Sequence, residues 1–145
     1  MFYNDQDITS ANAELVLTVD NLYPNGIVLQ QASVDSFAAS DNVQTAETRM
    51  GVDGKMAAGV VPNIIPLTIS LEANSPSAKL LANVRQAMIS NKELYRCTLT
   101  IRIPSIGETH VFNRGVLQSG NVFPAIQRVL APTQWVFHFE SHRKI

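Results

Sequence analysis

The residues with the most chemical potential are His110, His138, His142 and Cys97. His138 and His142 stand four apart, but on a strand-like stretch, not a helix. No Glu follows His138, so the helical metalloprotease pair is not formed. The spacing of the three histidines does not suggest a metal site. Cys97 is the only cysteine, which excludes an internal disulfide. It lies among apolar residues and reads as a small buried side chain, compatible with a reducing compartment. Gly51-Val-Asp-Gly54 lacks the Lys-Ser/Thr and the following helix of a phosphate loop. No serine sits in a Gly-flanked elbow, Cys97 has no evident base, and the acids are scattered rather than paired. Trp135, Phe137 and Phe139 alternate on one strand face without neighbouring Lys or Arg, a core pattern rather than a base-stacking platform. The sequence therefore offers no catalytic, cofactor-binding or metal-binding set.

The elements that position these residues centre on one unit. Leu67, Ile69 and Leu71 alternate with Thr68, Ser70 and Glu72, the period of a half-buried strand. Asn74-Ser75-Pro76 then changes the period. Ser75 suits a helix cap, and Pro76 suits the first helical position, where its missing N–H is no loss. Leu80, Leu81, Val84, Ala87 and Met88 recur at helical spacing, predicting one helix over about 76–91. Cys97, Leu99, Ile101 and Ile103 alternate in a second strand.

Around this unit the chain reads as β-structure. Ala13–Asp20 is a strand, Asn21–Gly26 a turn with Asn25-Gly26 as its hairpin dipeptide, and Ile27–Phe37 the return, bent near Ala32-Ser33. Thr109–Gln118 is a strand. Ala125–Leu130 reads as a short one between Pro124 and Pro132, and Trp135–Glu140 as the last. The tail Ser141–Ile145 is expected to fray, and Met1–Asn12 to form a polar arm. The fold class expected is mainly β: an antiparallel sandwich or barrel with one flanking helix, in a single domain over residues 1–145.

Residues 40–63 differ from the rest. They hold Gly51, Gly54, Gly59 and Pro62 among small and polar residues. Loops of this length are commonly functional or disordered, and a disordered surface loop is the alternative reading. Asp53-Gly54 is a hairpin signal flanked symmetrically by Met50 and Met56, so the segment is expected to be an extended hairpin arm.

The chain has 145 residues and a net charge of -1, so its average charge draws it to neither nucleic acid nor an anionic membrane. Residues 1–59 hold eight acids against Arg49 and Lys55, a net of -6; residues 60–145 hold nine bases against four acids, a net of +5. Such poles suit self-association. Charged residues make up 16% and hydrophobic ones 46%, a balance expected where partners cover part of the surface. No apolar run reaches membrane-span length and the acidic start has no signal-peptide pattern, so a soluble chain made in the cytosol is expected.

Gly51-Val-Asp-Gly-Lys55, the apolar strand Leu67–Leu71, and Glu72-Ala-Asn-Ser-Pro-Ser77 leading to Leu80-Leu81 form a constellation. It resembles the inner tail tube proteins of contractile-tailed bacteriophages with small subunits, over Phe37 to Leu130. The resemblance implies a β-sandwich or barrel whose copies form hexameric rings stacked into a hollow tube. It implies a place in the virion tail, assembly in the host cytoplasm, no cofactor and no catalytic residue. The implied partners are further copies, the tail sheath, baseplate and terminator proteins, and DNA passing through the lumen. Arg49, Met50, Val52, Asp53, Lys55 and Met56 would form the stacking arm. Asp35, Asp41 and Glu47 would face the lumen and repel phosphate; Ser33, Ser36, Thr45 and Thr48 would suit the same surface. Tubes of injection and secretion systems, baseplate or tail-completion proteins, and sugar- or protein-binding modules are the alternatives.

Overall fold

The computed structural model describes residues 13–29 and 38–145. The polar arm expected at Met1–Asn12, the bend at Ala32-Ser33, and the lumen candidates Ser33, Asp35 and Ser36 lie outside the described residues. Within them the order is β1 (Glu14–Val19), β2 (Tyr23–Val28), β3 (Ala38–Ser40), β4 (Ala46–Met50), β5 (Met56–Val60), β6 (Ile65–Leu71), α1 (Pro76–Asn91), β7 (Cys97–Ile103), a 3-10 turn (Pro104–Ile106), β8 (Glu108–Gly120), β9 (Thr133–Phe139) and β10 (Ser141–Lys144).

The main sheet runs β2-β1-β7-β8-β9-β6-β3, antiparallel throughout, with β10 also paired to β8. β8 is the hinge of the architecture. Its first part pairs with β7 on one side and β10 on the other, and its second part pairs with β9. Arg114, at φ 53, marks the corner. A left-handed residue shifts the phase of the pleat. Unbroken alternation would put Phe112 on the same face as Arg114 and opposite Leu117; instead Phe112, Gly115 and Leu117 are all buried and Arg114 is exposed. β1, β6, β7 and β9 supply the rest of the core through Leu15, Leu17, Ile69, Leu99, Phe137 and Phe139, as their alternation predicts.

The helix closes this core with Ala78, Leu81 and Val84. Its bounds follow from Ser75-Pro76 at the start and Lys92 in the left-handed conformation at the end. Ser75 occupies the N-cap position, but its side chain makes no capping hydrogen bond. Ser77 Oγ donates instead across to the Val28 carbonyl, at 3.4 Å.

Three expectations are corrected. The first hairpin turns at Asp20–Leu22, with Asn21 at φ 69, and not at Asn25-Gly26. Asn25-Gly26 lies inside β2, where the register slips between Leu17 and Val19. Gly26, at φ +92, lets the bulged strand approach Val16, whose Cγ1 would stand 3.2 Å from an added Cβ. Ala125–Leu130 forms no strand: β9 already occupies the ladder beside β8, and prolines at both ends of the segment withhold donors. The tail does not fray. Ser141–Lys144 pairs with Asn113–His110, and the Ile145 amide donates to the Thr109 carbonyl at 2.8 Å.

Candidate functional site

The segment between β3 and β6 is a two-stranded ribbon that stands apart from the main sheet. β4 and β5 pair only with each other, from Ala46↔Val60 to Met50↔Met56. At the root the Val61 amide donates to the Thr45 carbonyl, and Asn63 Nδ2 to the Gln44 carbonyl at 2.8 Å. At the tip the Gly51 amide donates to the Lys55 carbonyl and the Gly54 amide to the Gly51 carbonyl. Asp53 Oδ1 accepts from the Lys55 amide at 3.1 Å, and Gly54 takes φ +82, which the tight turn requires. All ten residues of β4 and β5 are exposed. An isolated hairpin of this length is marginally stable in water.

The ribbon is two-faced. Pleating places Thr48, Met50, Met56, Ala58 and Val60 on one side, and Glu47, Arg49, Ala57 and Gly59 on the other. The first side is apolar and open to solvent: Met50 is 68% exposed, Met56 65% and Val60 85%. Val52 extends fully from the tip. The sequence-predicted arm residues Arg49, Met50, Val52, Asp53, Lys55 and Met56 thus share one protrusion, charges on one face and tip, methionines on the other. Glu47 lies beside Arg49 on the charged face. Asp41 is exposed in the link leading from β3 to the arm. Among the described residues, the ion pairs are His110–Glu108, Lys144–Glu108 and Arg114–Glu140, none of them on the arm.

Two features were not anticipated. His110 and His142 meet: Nδ1 and Nε2 are 2.8 Å apart and the rings stack, with centroids 5.0 Å apart. Glu108 holds the other side of His110 at 3.0 Å and also binds Lys144 at 2.8 Å. Hydrogen bonds from Lys144 and then His110 pull the Glu108 pKa down, while burial and then the charge of His110 lower that of His142. His110 and His142 rim an apolar groove of about 510 Å³ lined by Ile65, Leu67, Ile103 and Phe112. His138 lies elsewhere, against Val116 and Pro66 in the ladder. Among the described residues no group of three ligands could hold a metal. Cross-strand pairing of β8 with β10 brings His110 and His142 together, and spacing along the chain gave no sign of it.

The second is Asn121–Pro132, between β8 and β9. Val122, Phe123, Ile126 and Val129 are exposed to at least 64% and Leu130 to 47%. Its prolines at both ends were the available signal against a strand.

The described residues thus present a protruding ribbon and apolar side chains left in solvent on an antiparallel β domain. The same fold occurs in contractile injection systems. A chain of the anti-feeding prophage (AFP) baseplate, solved by cryo-EM, aligns with TM-score 0.60 at 11% identity, over 98% of this chain and 97% of that one. A chain of the AFP tube-terminating cap aligns with TM-score 0.57 at 11% identity, over 100% and 95%. One from the PVC sheath-tube complex in the extended state aligns with TM-score 0.56 at 12% identity, over 90% and 87%. The chain belongs to the tail fiber protein gp32 family, which matches residues 6–143. No curated protein matches it. The family places it among phage tail proteins, a coarser class than the inner tube, and with the contractile-system chains it shares the fold.

Proposed function

We propose that this protein is a ring-forming structural subunit of a phage tail tube. Copies associate into hexameric rings, and the rings stack into a hollow conduit through which DNA leaves the virion. Sheath, baseplate and terminator proteins are its neighbours in the tail. The arm carries this reading: ten residues exposed on both faces, one face apolar, are stable only against a neighbour. Arg49, Met50, Val52, Asp53, Lys55 and Met56 make that stacking contact. Asp35, Asp41 and Glu47 face the lumen, where carboxylates keep phosphate from adhering. The domain supplies structure and no catalysis.

A second reading is a baseplate-end ring that does not propagate. The alignment over nearly the whole of a baseplate chain favours it. Sedimentation velocity and negative-stain microscopy of the purified chain separate the two. Long hollow tubes are expected for the tube subunit, and single or doubled rings for the baseplate component. A strictly monomeric chain at every salt and protein concentration sinks both.

A further inference from the structure

The arm and the Asn121–Pro132 loop occupy opposite ends of one strand. β6 begins at Ile65, just after the arm, and ends at Leu71, opposite Thr133, where the loop rejoins the sheet. Gly120 pairs with Trp135, and the Asn121 amide donates to the Gln134 carbonyl, so both feet of the loop are pinned at that far end. The seven residues of β6 set the two features roughly 20 Å apart along the strand.

Each end presents apolar side chains to water. The arm offers Met50, Val52, Met56 and Val60; the loop offers Val122, Phe123, Ile126 and Val129. The loop is not a loose tether. Its Ala131 amide donates to the Ala125 carbonyl, and Val129 and Leu130 border a cleft with Glu72 and Asn74. Its only charge is Arg128, while the arm carries Glu47 and Asp53 on its polar face and tip. Glu72 beside the loop offers the reciprocal charge to Arg49 or Lys55. Two different apolar surfaces at opposite ends of a molecule cannot bury each other within one copy. Between copies they make a head-to-tail contact, which repeats without limit along an axis.

We infer that the Asn121–Pro132 loop is the receptor for the arm of a second copy of this chain. The methionine face lies on Ile126 and Val129, and the Asp53 tip lies near Arg128. This inference rests on the stacking reading of the arm and names the surface that receives it.

The background for a cross-linking test is clean, because Cys97 is buried and its thiol is pushed up to about 12 by burial. Val52→Cys and Val129→Cys are made in separate chains, mixed under assembly conditions and treated with a short bismaleimide. The expected product is the mixed dimer, absent when either variant is treated alone. Tubes or rings that form without the mixed cross-link overturn the receptor assignment and leave the proposed function standing. A mixture that never assembles overturns both, provided the wild-type chain also stays monomeric; if only the variants fail, the second test decides. That test is Ile126→Ser with Val129→Ser, two exposed positions whose change leaves the melting temperature unaltered. The protein concentration needed for assembly rises at least about tenfold. Assembly at the wild-type concentration overturns the inference.

Discussion

Two glycines of β8 have aromatic rings where a side chain would stand. A Cβ on Gly115 would run into the Phe139 ring, and one on Gly120 into the Trp135 ring. Neither glycine has a positive φ, so the requirement is for space rather than conformation. Gly115→Ala or Gly120→Ala should cost about 1–3 kcal/mol through overpacking. Thermal unfolding should show a loss of about 2–4 °C per kcal/mol. The alternation of Trp135, Phe137 and Phe139 was legible as core. That glycines on another strand receive those rings was not, because nothing local in the sequence records a cross-strand pair. Cys97 was legible too: burial, and secondarily Asp20, push its thiol to about 12, far from the thiolate at neutral pH. It should resist thiol reagents in the native protein and react fully in denaturant. Rapid native labelling would mean that β7 opens locally.

At the scale of elements, β10 couples strand pairing to pH. The Glu108 carboxyl is held below its ordinary 4.5, chiefly by the Lys144 hydrogen bond, and His142 below 6.5, chiefly by burial. A carboxylate with a lowered folded pKa stabilises above its unfolded value and loses that contribution as pH falls through the folded one. An imidazole kept neutral by folding works in the same direction: below about 6.5 the unfolded chain binds the proton more readily. Glu108 favours loosening of β10 only below about 4.5, whereas His142 does so from about 6.5 downward and governs the range between pH 7 and pH 5; two protonated rings cannot keep the 2.8 Å His110–His142 contact. Hydrogen exchange at Ser141–Lys144 should accelerate between pH 7 and pH 5 relative to β9. His142→Phe, which retains packing against Phe112, should flatten that response. Equal pH dependence in β9 and β10 would contradict it. Helix α1 and the arm were readable because their signals are local: Ser75-Pro76 with a 3.6-residue period, and Asp53-Gly54 between matched methionines. The tail strand and the first turn were not, since the free edge of β8 and the bulge at Gly26 depend on distant partners. The arm gives a further prediction. Replacing Val52–Lys55 with a Gly-Ser link should leave the circular dichroism and melting of the domain unchanged, because nothing in the main sheet pairs with β4 or β5. Tube growth should stop. The wild-type arm should be cleaved by protease in free subunits and protected in assemblies. Long tubes from the variant at wild-type yield would make the arm a passive loop.

Across the whole molecule, apolar burial and charge make separable demands on assembly. The arm and the Asn121–Pro132 loop leave large hydrophobic side chains in water at both ends. Ordering a segment costs roughly 1–2 kcal/mol per residue of backbone entropy, so a marginal ribbon is held only by substantial burial. Charge acts over longer range. The sequence carries a net of -6 over residues 1–59 against +5 over residues 60–145, and the ion pairs among the described residues all lie between partners in the second stretch. Where the acidic stretch of one copy meets a neighbour's basic one, added salt should weaken the contact. Exposed pairs across an interface are screened over about 8–10 Å near physiological ionic strength and over about 3 Å at 1 M salt. The protein concentration at which assembly begins should accordingly rise with added salt, and turbidity or sedimentation across a salt series measures it. The opposite trend is expected of an apolar contact, which kosmotropic salts strengthen. Sulfate and chloride at matched ionic strength therefore separate the two. If charge steers the contact, both anions should weaken assembly, sulfate less than chloride. Assembly indifferent to chloride and promoted by sulfate would mean that the apolar ends alone join the copies and that the opposed charges of the two stretches are incidental.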